Sequence, residues 1–177
     1  MTVTAPTADV AGAALDAQIA TVQALVNATS PAAAMYPQYV QQLNQLQTEA
    51  VDHYMVTGWL NAATILATYT APTWDSVGQT LTARVSALQT LVNNAPAAPA
   101  GNADGFGAGG IVWILQNYKQ QLYAAQIALV ERIMDVPGGT PAATILANMT
   151  GVQTAPAGIT FDYVFSSVGF TDTWIDD

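Results

Sequence analysis

Leu15, Ile19, Val22 and Val26 recur every three or four residues and lay one apolar stripe along a helix predicted over residues 8–28. The run from Asn27 to Pro31 stops it, and Pro31 and Pro37 suit the first turn of a second helix. A second stripe, Tyr39, Leu43, Leu46, Ala50 and Tyr54, is continued less regularly by Trp59, Leu66 and Tyr69. It predicts one long helix over 38–69, in which Gly58 can bend the axis. Ala71-Pro72 ends that helix. Thr73 is the expected N-cap of a third, with Asp75 in its first turn and Val77, Leu81, Val85, Leu88 and Val92 on its buried face.

Residues 93–110 are dense in Ala, Pro and Gly and read as a long loop. The cleanest stripe comes next. Ile111, Leu115, Tyr118, Leu122, Ala125, Leu129 and Ile133 define a fourth helix over 111–135, stopped by Pro137-Gly138-Gly139. Thr140-Pro141 opens a short fifth helix through Met149, with Gly151 as the residue beyond its C-terminal cap. The period then changes. Ile159, Phe161, Tyr163 and Phe165 alternate with Thr160, Asp162 and Val164, which is the pattern of a strand. A lone strand needs a partner: residues 151–154, residues 2–4, or the sheet edge of a neighbouring subunit. The expected fold is mainly α, an irregular four-to-five-helix bundle over 1–151 containing the 93–110 loop, followed by a β-like C-terminal arm over 152–177.

Composition narrows what such a chain can do. Of its 177 residues 51% are apolar and only 8% charged, against roughly 25% charged in an ordinary soluble domain. Polarity at the surface must come from amides and hydroxyls, and burial in an assembly is a natural way to tolerate such a surface. Twelve acids face only Arg84, Lys119 and Arg132, for a net charge of −9. Three scattered cations cannot track a phosphate backbone or dock on anionic lipid, so neither nucleic acid nor membrane is an expected partner. The absence of cysteine excludes disulfides and thiolate chemistry. The first residues lack the basic start of a secretory signal, and no apolar run approaches the ~18 residues of a membrane span.

The motifs that suggest chemistry each fail on context. Gly105, Gly107 and Gly110 spell G-x-G-x-x-G ahead of a helix, with Glu131 about twenty residues on. A dinucleotide turn comes after a buried strand, whereas residues 93–104 are Asn, Ala, Pro, Gly and a single Asp. Asn102-Ala103-Asp104-Gly105 hints at a calcium loop, but the position that should hold its bidentate Glu is Ile111. Glu49, Asp52 and His53 cluster on the second helix, where Glu49 and His53 can touch four residues apart. With a single His, they are expected to form a polar helix face around a satisfied imidazole. Ser166-Ser167-Val168-Gly169 lacks the first glycine of a nucleophile elbow. Glu131 and Asp135 are expected to pair with the adjacent Arg132 or face solvent. No catalytic, cofactor-binding or metal-ligating residue is predicted, and no cofactor.

The chain is therefore expected to be a non-enzymatic structural subunit. Its interface candidates are Gly105, Phe106 and Gly107 in the loop and Ile159, Phe161, Tyr163, Phe165, Phe170 and Trp174 in the arm. A soluble helical binding module, monomeric or dimeric and cytoplasmic, is the alternative. Helices separated by the stretch PAAPAGNADGFGAGG and succeeded by ITFDYVFSSVGFTDTWIDD give a layout that resembles virion structural proteins of tailed phages, of the neck, head–tail connector or tail-completion type. That resemblance implies a ring-forming, non-enzymatic protein located in a virion and bound to copies of itself and to other structural proteins.

Overall fold

A computed structural model describes Ala5, residues 9–95 and residues 106–149, the last stretch with side chains from 114 onward. Within these residues all regular structure is helical: α1 (Val10–Ala28), α2 (Tyr36–Val56), α3 (Ala62–Thr68), α4 (Ser76–Asn94), α5 (Phe106–Asp135) and α6 (Ala142–Asn148). The mainly α fold is as the periodicity predicts. The strand-like arm and most of the 93–110 loop lie outside the described residues.

Three boundaries and one buried position differ from expectation. The single helix over 38–69 is two helices, α2 and α3. Gly58 takes φ +80°, a left-handed conformation that ends a helix at no steric cost. Asn61 then caps α3, its side chain accepting from the Ala63 N–H at 2.9 Å. Asp75, not Thr73, stands at the start of α4. Val77 is 49% exposed and does not belong to the buried face of α4. The fourth predicted helix starts earlier, at Phe106, so Phe106 and Gly107 are helical and only Gly105 of that trio lies outside the described residues.

The two halves of the molecule are built alike. α1, α2 and α3 have 19, 21 and 7 residues; α4, α5 and α6 have 19, 30 and 7. α1 packs on α2 as α4 packs on α5, α3 packs on α5 as α6 packs on α2, and α2 meets α5 between them. The short helices are thus exchanged across an internal two-fold relationship, each completing the other half. Asn148, ending α6, donates to the Tyr69 hydroxyl just beyond α3 at 2.8 Å.

The sequence carries the same repeat. TAPTADVAG (4–12) matches TAPTWDSVG (70–78), and LDAQIATVQALVN (15–27) matches LTARVSALQTLVN (81–93). YVQQLNQLQTEAVDHYM (39–55) matches YKQQLYAAQIALVERIM (118–134), and AATILAT (62–68) matches AATILAN (142–148). Gly138, the counterpart of Gly58, also takes a left-handed φ, +78°. The intervening turns differ by one residue, 57–61 against 136–141. The chain is a tandem duplication of one three-helix unit.

Most of the core forms a single cluster shared by both halves. Val51, Tyr54, Met55, Leu60 and Ile65 of the first half pack with Tyr123, Ile127, Val130, Ile145 and Leu146 of the second. Two smaller clusters seat α4 on α5: Ala71 with Leu129 and Ile133, and Leu88 with Leu122 and Ala125. The helices therefore depend on burial between halves more than on intrinsic propensity.

Candidate functional site: two aspartate clamps and an acidic groove

Each copy of the unit places one aspartate at the start of its first helix and one basic side chain near the end of its second. In the first half Asp9 caps α1, its Oδ1 accepting from the Gly12 N–H at 2.9 Å. Its Oδ2 meets His53 Nε2 at 2.7 Å and accepts from the Trp59 indole N–H at 3.1 Å. Burial opposes ionisation of Asp9, but the Gly12 N–H, His53 and Trp59 outweigh it and hold the carboxyl below its usual range. In the second half Arg132 reaches Asp75 through both arms of its guanidinium, Nε to Oδ2 at 2.9 Å and Nη2 to Oδ1 at 2.8 Å. This fork, helped by the Gly78 and Val77 N–H groups, depresses the Asp75 pKa and raises that of Arg132.

Gly12 and Gly78 make both clamps sterically feasible. A Cβ on Gly12 would lie 2.5 Å from Asp9 Oδ2 and 2.6 Å from Ala5 Cβ; one on Gly78 would lie 2.6 Å from Asp75 Oδ2 and 2.6 Å from Ala71 Cβ. A neighbouring pair differs between the copies. Asp16 accepts from the buried Tyr54 hydroxyl at 2.6 Å and from the Ala5 N–H at 2.7 Å, and burial together with Asp16 pushes the Tyr54 phenol above its usual range. Thr82 and Ile133 occupy the matching places in the second half; there Ile133 packs with Ala71 and Leu129, and the Thr82 hydroxyl donates to the Gly78 carbonyl at 2.8 Å.

Two sequence expectations are corrected here. His53 binds Asp9 rather than the Glu49 four residues before it, because the start of α1 delivers a carboxylate at hydrogen-bond distance. Arg132 binds Asp75 across the α4–α5 contact; Asp135 faces solvent, one of its two expected outcomes, whereas Glu131 is half-buried and neither pairs with Arg132 nor is exposed. The expectation of a satisfied imidazole is met, through a partner that spacing along one helix could not supply. Asp9 and Asp75 are not among the residues that motif reasoning singles out; the repeated T-A-P-T-x-D-x-x-G is the signal that points to both.

Four further acids gather where α2 meets the end of α5. Asp52 and Glu131 hold matching places in the two copies and are half-buried, with Glu49 and Asp135 exposed beside them. Burial, then Asp135 and Glu49, push the Asp52 carboxyl up to about 6; burial, then Asp52 and Asp135, push Glu131 up to about 7. Asp52 Oδ1 is buried and has no hydrogen-bond partner. Among the described residues no three His, Asp or Glu side chains converge as a metal-ligand set.

Glu49 and Asp135 also line a groove of about 1080 Å³ that runs along the outer face of α2. Tyr36, Pro37, Val40 and Met134 form its apolar wall, and Gln41, Asn44, Gln45 and Thr48 its polar one. Chemically this surface can accept hydrogen bonds, attract a cation and hold an apolar side chain. The Asp9–His53 pair resembles a base with its orienting carboxylate, but the nearby Thr57 hydroxyl is committed to the His53 carbonyl at 2.8 Å. The predicted interface residues Ile159, Phe161, Tyr163, Phe165, Phe170 and Trp174 lie outside the described residues, as does Gly105; Phe106 and Gly107 sit in the first turn of α5.

No family model, curated protein or solved structure matches the chain.

Proposed function

We propose that the chain is a non-enzymatic structural subunit of a symmetric protein assembly, a virion component of the tailed-phage kind, that packs against copies of itself and against other structural proteins. One observation carries this reading: the outer helices bury one face only and leave large apolar side chains in water on the other. Trp74 is exposed just before α4, Val77 and Leu91 on it, and Val10 and Leu25 on α1. Leu25 and Leu91 hold the same place in the two copies. Scattered single apolar residues are ordinary on a surface. Several large ones, on a chain with 8% charged residues, favour contact between subunits. No helix among the described residues is long and apolar enough to cross a membrane.

Crosslinking of the intact chain and of Trp74→Ser with Val77→Ser tests the reading. The intact chain should give a ladder that stops at one defined multimer, and the variant should stop short of it while keeping its helical circular dichroism. An unchanged ladder removes α4 from the interface.

The internal two-fold favours a second reading. Two units that exchange α3 and α6 within one chain already satisfy what a homodimer would supply. A chain built that way suits a self-contained, monomeric helical module that binds another protein. It would give no ladder, only a monomer band.

A further inference from the structure

The duplication makes the open groove informative, because its counterpart in the other half is filled. On α5, Tyr123, Ala124 and Ile127 are buried, and the Tyr123 hydroxyl reaches the Met55 carbonyl at 2.8 Å. The matching residues on α2 are Asn44, Gln45 and Thr48, and the match of Met55 is Met134. Asn44, Gln45, Thr48 and Met134 all line the groove. The first half thus carries shorter polar side chains where the second buries an aromatic and an isoleucine. The space is left for side chains from elsewhere.

Charge decides which. Glu49 and Asp135 stand in the groove, with Asp52 and Glu131 beside them, and the charges acting on those two are other carboxylates. None of the chain's three cations lines the groove, and Arg132 is held by Asp75. We propose that this groove docks a segment of a partner protein that presents an arginine or lysine to Glu49 and Asp135 and an apolar side chain to Tyr36, Val40 and Met134. The cation relieves carboxylate repulsion that the fold itself leaves in place, and its charge pairing sets the register of the segment. The inference stands apart from the self-assembly reading, since a monomeric chain keeps the same groove.

Fluorescence anisotropy of a short labelled peptide in which arginines alternate with leucines tests it, against the same peptide with glutamines for the arginines. Glu49→Gln with Asp135→Asn should weaken binding of the arginine peptide by about tenfold, or ~1.4 kcal/mol. Ala83→Lys with Ala87→Lys shifts the net charge by the same two units on the exposed face of α4, which lines no part of the groove, and should leave binding within about twofold. Asn44→Tyr changes no charge and should block binding by filling the slot. Glu49, Asp135, Asn44, Ala83 and Ala87 are all exposed, and thermal melts confirm folding. Equal weakening by the Ala83/Ala87 variant, equal binding of both peptides, or undiminished binding to Asn44→Tyr would each overturn the proposal. Self-association that disappears in both the Glu49/Asp135 variant and Arg84→Gln would also overturn it, by making a second copy the occupant.

Discussion

Tyr123→Phe isolates one hydroxyl that ties three helices together. The side chain is fully buried, and its oxygen lies 2.8 Å from the Met55 carbonyl at the end of α2 and 3.3 Å from that of Leu60. It also accepts from the Ala62 N–H in the first turn of α3, one of the donors a helix start leaves unpaired, and burial pushes the phenol up to about 12. Removing the hydroxyl forfeits a net ~1 kcal/mol of hydrogen bonding and leaves a buried donor and acceptor unsatisfied. The expected loss is roughly 2 kcal/mol, read as a fall in the urea midpoint with an unchanged slope. Tyr123→Asn, which installs the first half's residue, also deletes the ring and should cost about 3–5 kcal/mol. The Phe variant should retain native-like secondary structure, since the ring still fills the site. A loss below ~0.5 kcal/mol for Tyr123→Phe would refute the claim that this hydroxyl joins the halves.

Acidity gives a second expectation. Asp52 and Glu131 hold protons in the folded state at pH values where the unfolded chain has released them. Stability should therefore fall as pH rises from about 4 through 7, and Asp52→Asn with Glu131→Gln should flatten that slope in pH-dependent urea melts. Screening around half-buried carboxyls limits the effect to about 1–3 kcal/mol. Asp9 and Asp75 are depressed, so their contribution is present above the unfolded pKa and lost as pH falls below about 4, which leaves a stability optimum in the mildly acidic range. Gly58→Ala and Gly138→Ala should each cost roughly 1–2 kcal/mol, because both positions need the left-handed backbone; a cost at one and none at the other would break the equivalence of the turns. Deleting residues 158–177 should leave a helical, cooperatively melting domain that has lost its assembled state; a truncated chain that keeps the same number of subunits would remove the arm from the interface.

Sequence periodicity locates the helices that matter and misses how they are joined. Leu122, Ala125, Leu129 and Ile133 are buried as their stripe predicts, because a continuous i, i+3, i+4 pattern has no competing reading. The 38–69 stripe hides the break at Gly58, since a single glycine inside a periodic pattern signals a break only when its backbone turns left-handed. Val77 fits the α4 stripe by spacing, yet α4 meets α5 over a narrower arc than the pattern allows. The clamps are not legible from spacing along one helix, because Asp9 and His53, or Asp75 and Arg132, meet only through tertiary packing. They are legible from the repeat, where an aspartate three residues before a glycine recurs at the head of each unit. Asn44 in the place of Tyr123 is equally visible there, as the substitution that leaves one slot open.

The mass of the intact 18.4 kDa chain in solution, measured by light scattering across a concentration series, bears most directly on the proposed role. A structural subunit of a symmetric assembly should give a defined integral multiple of the chain mass that persists on dilution. A single 18.4 kDa species at every concentration would contradict that role and leave the internally paired, monomeric binding module in its place.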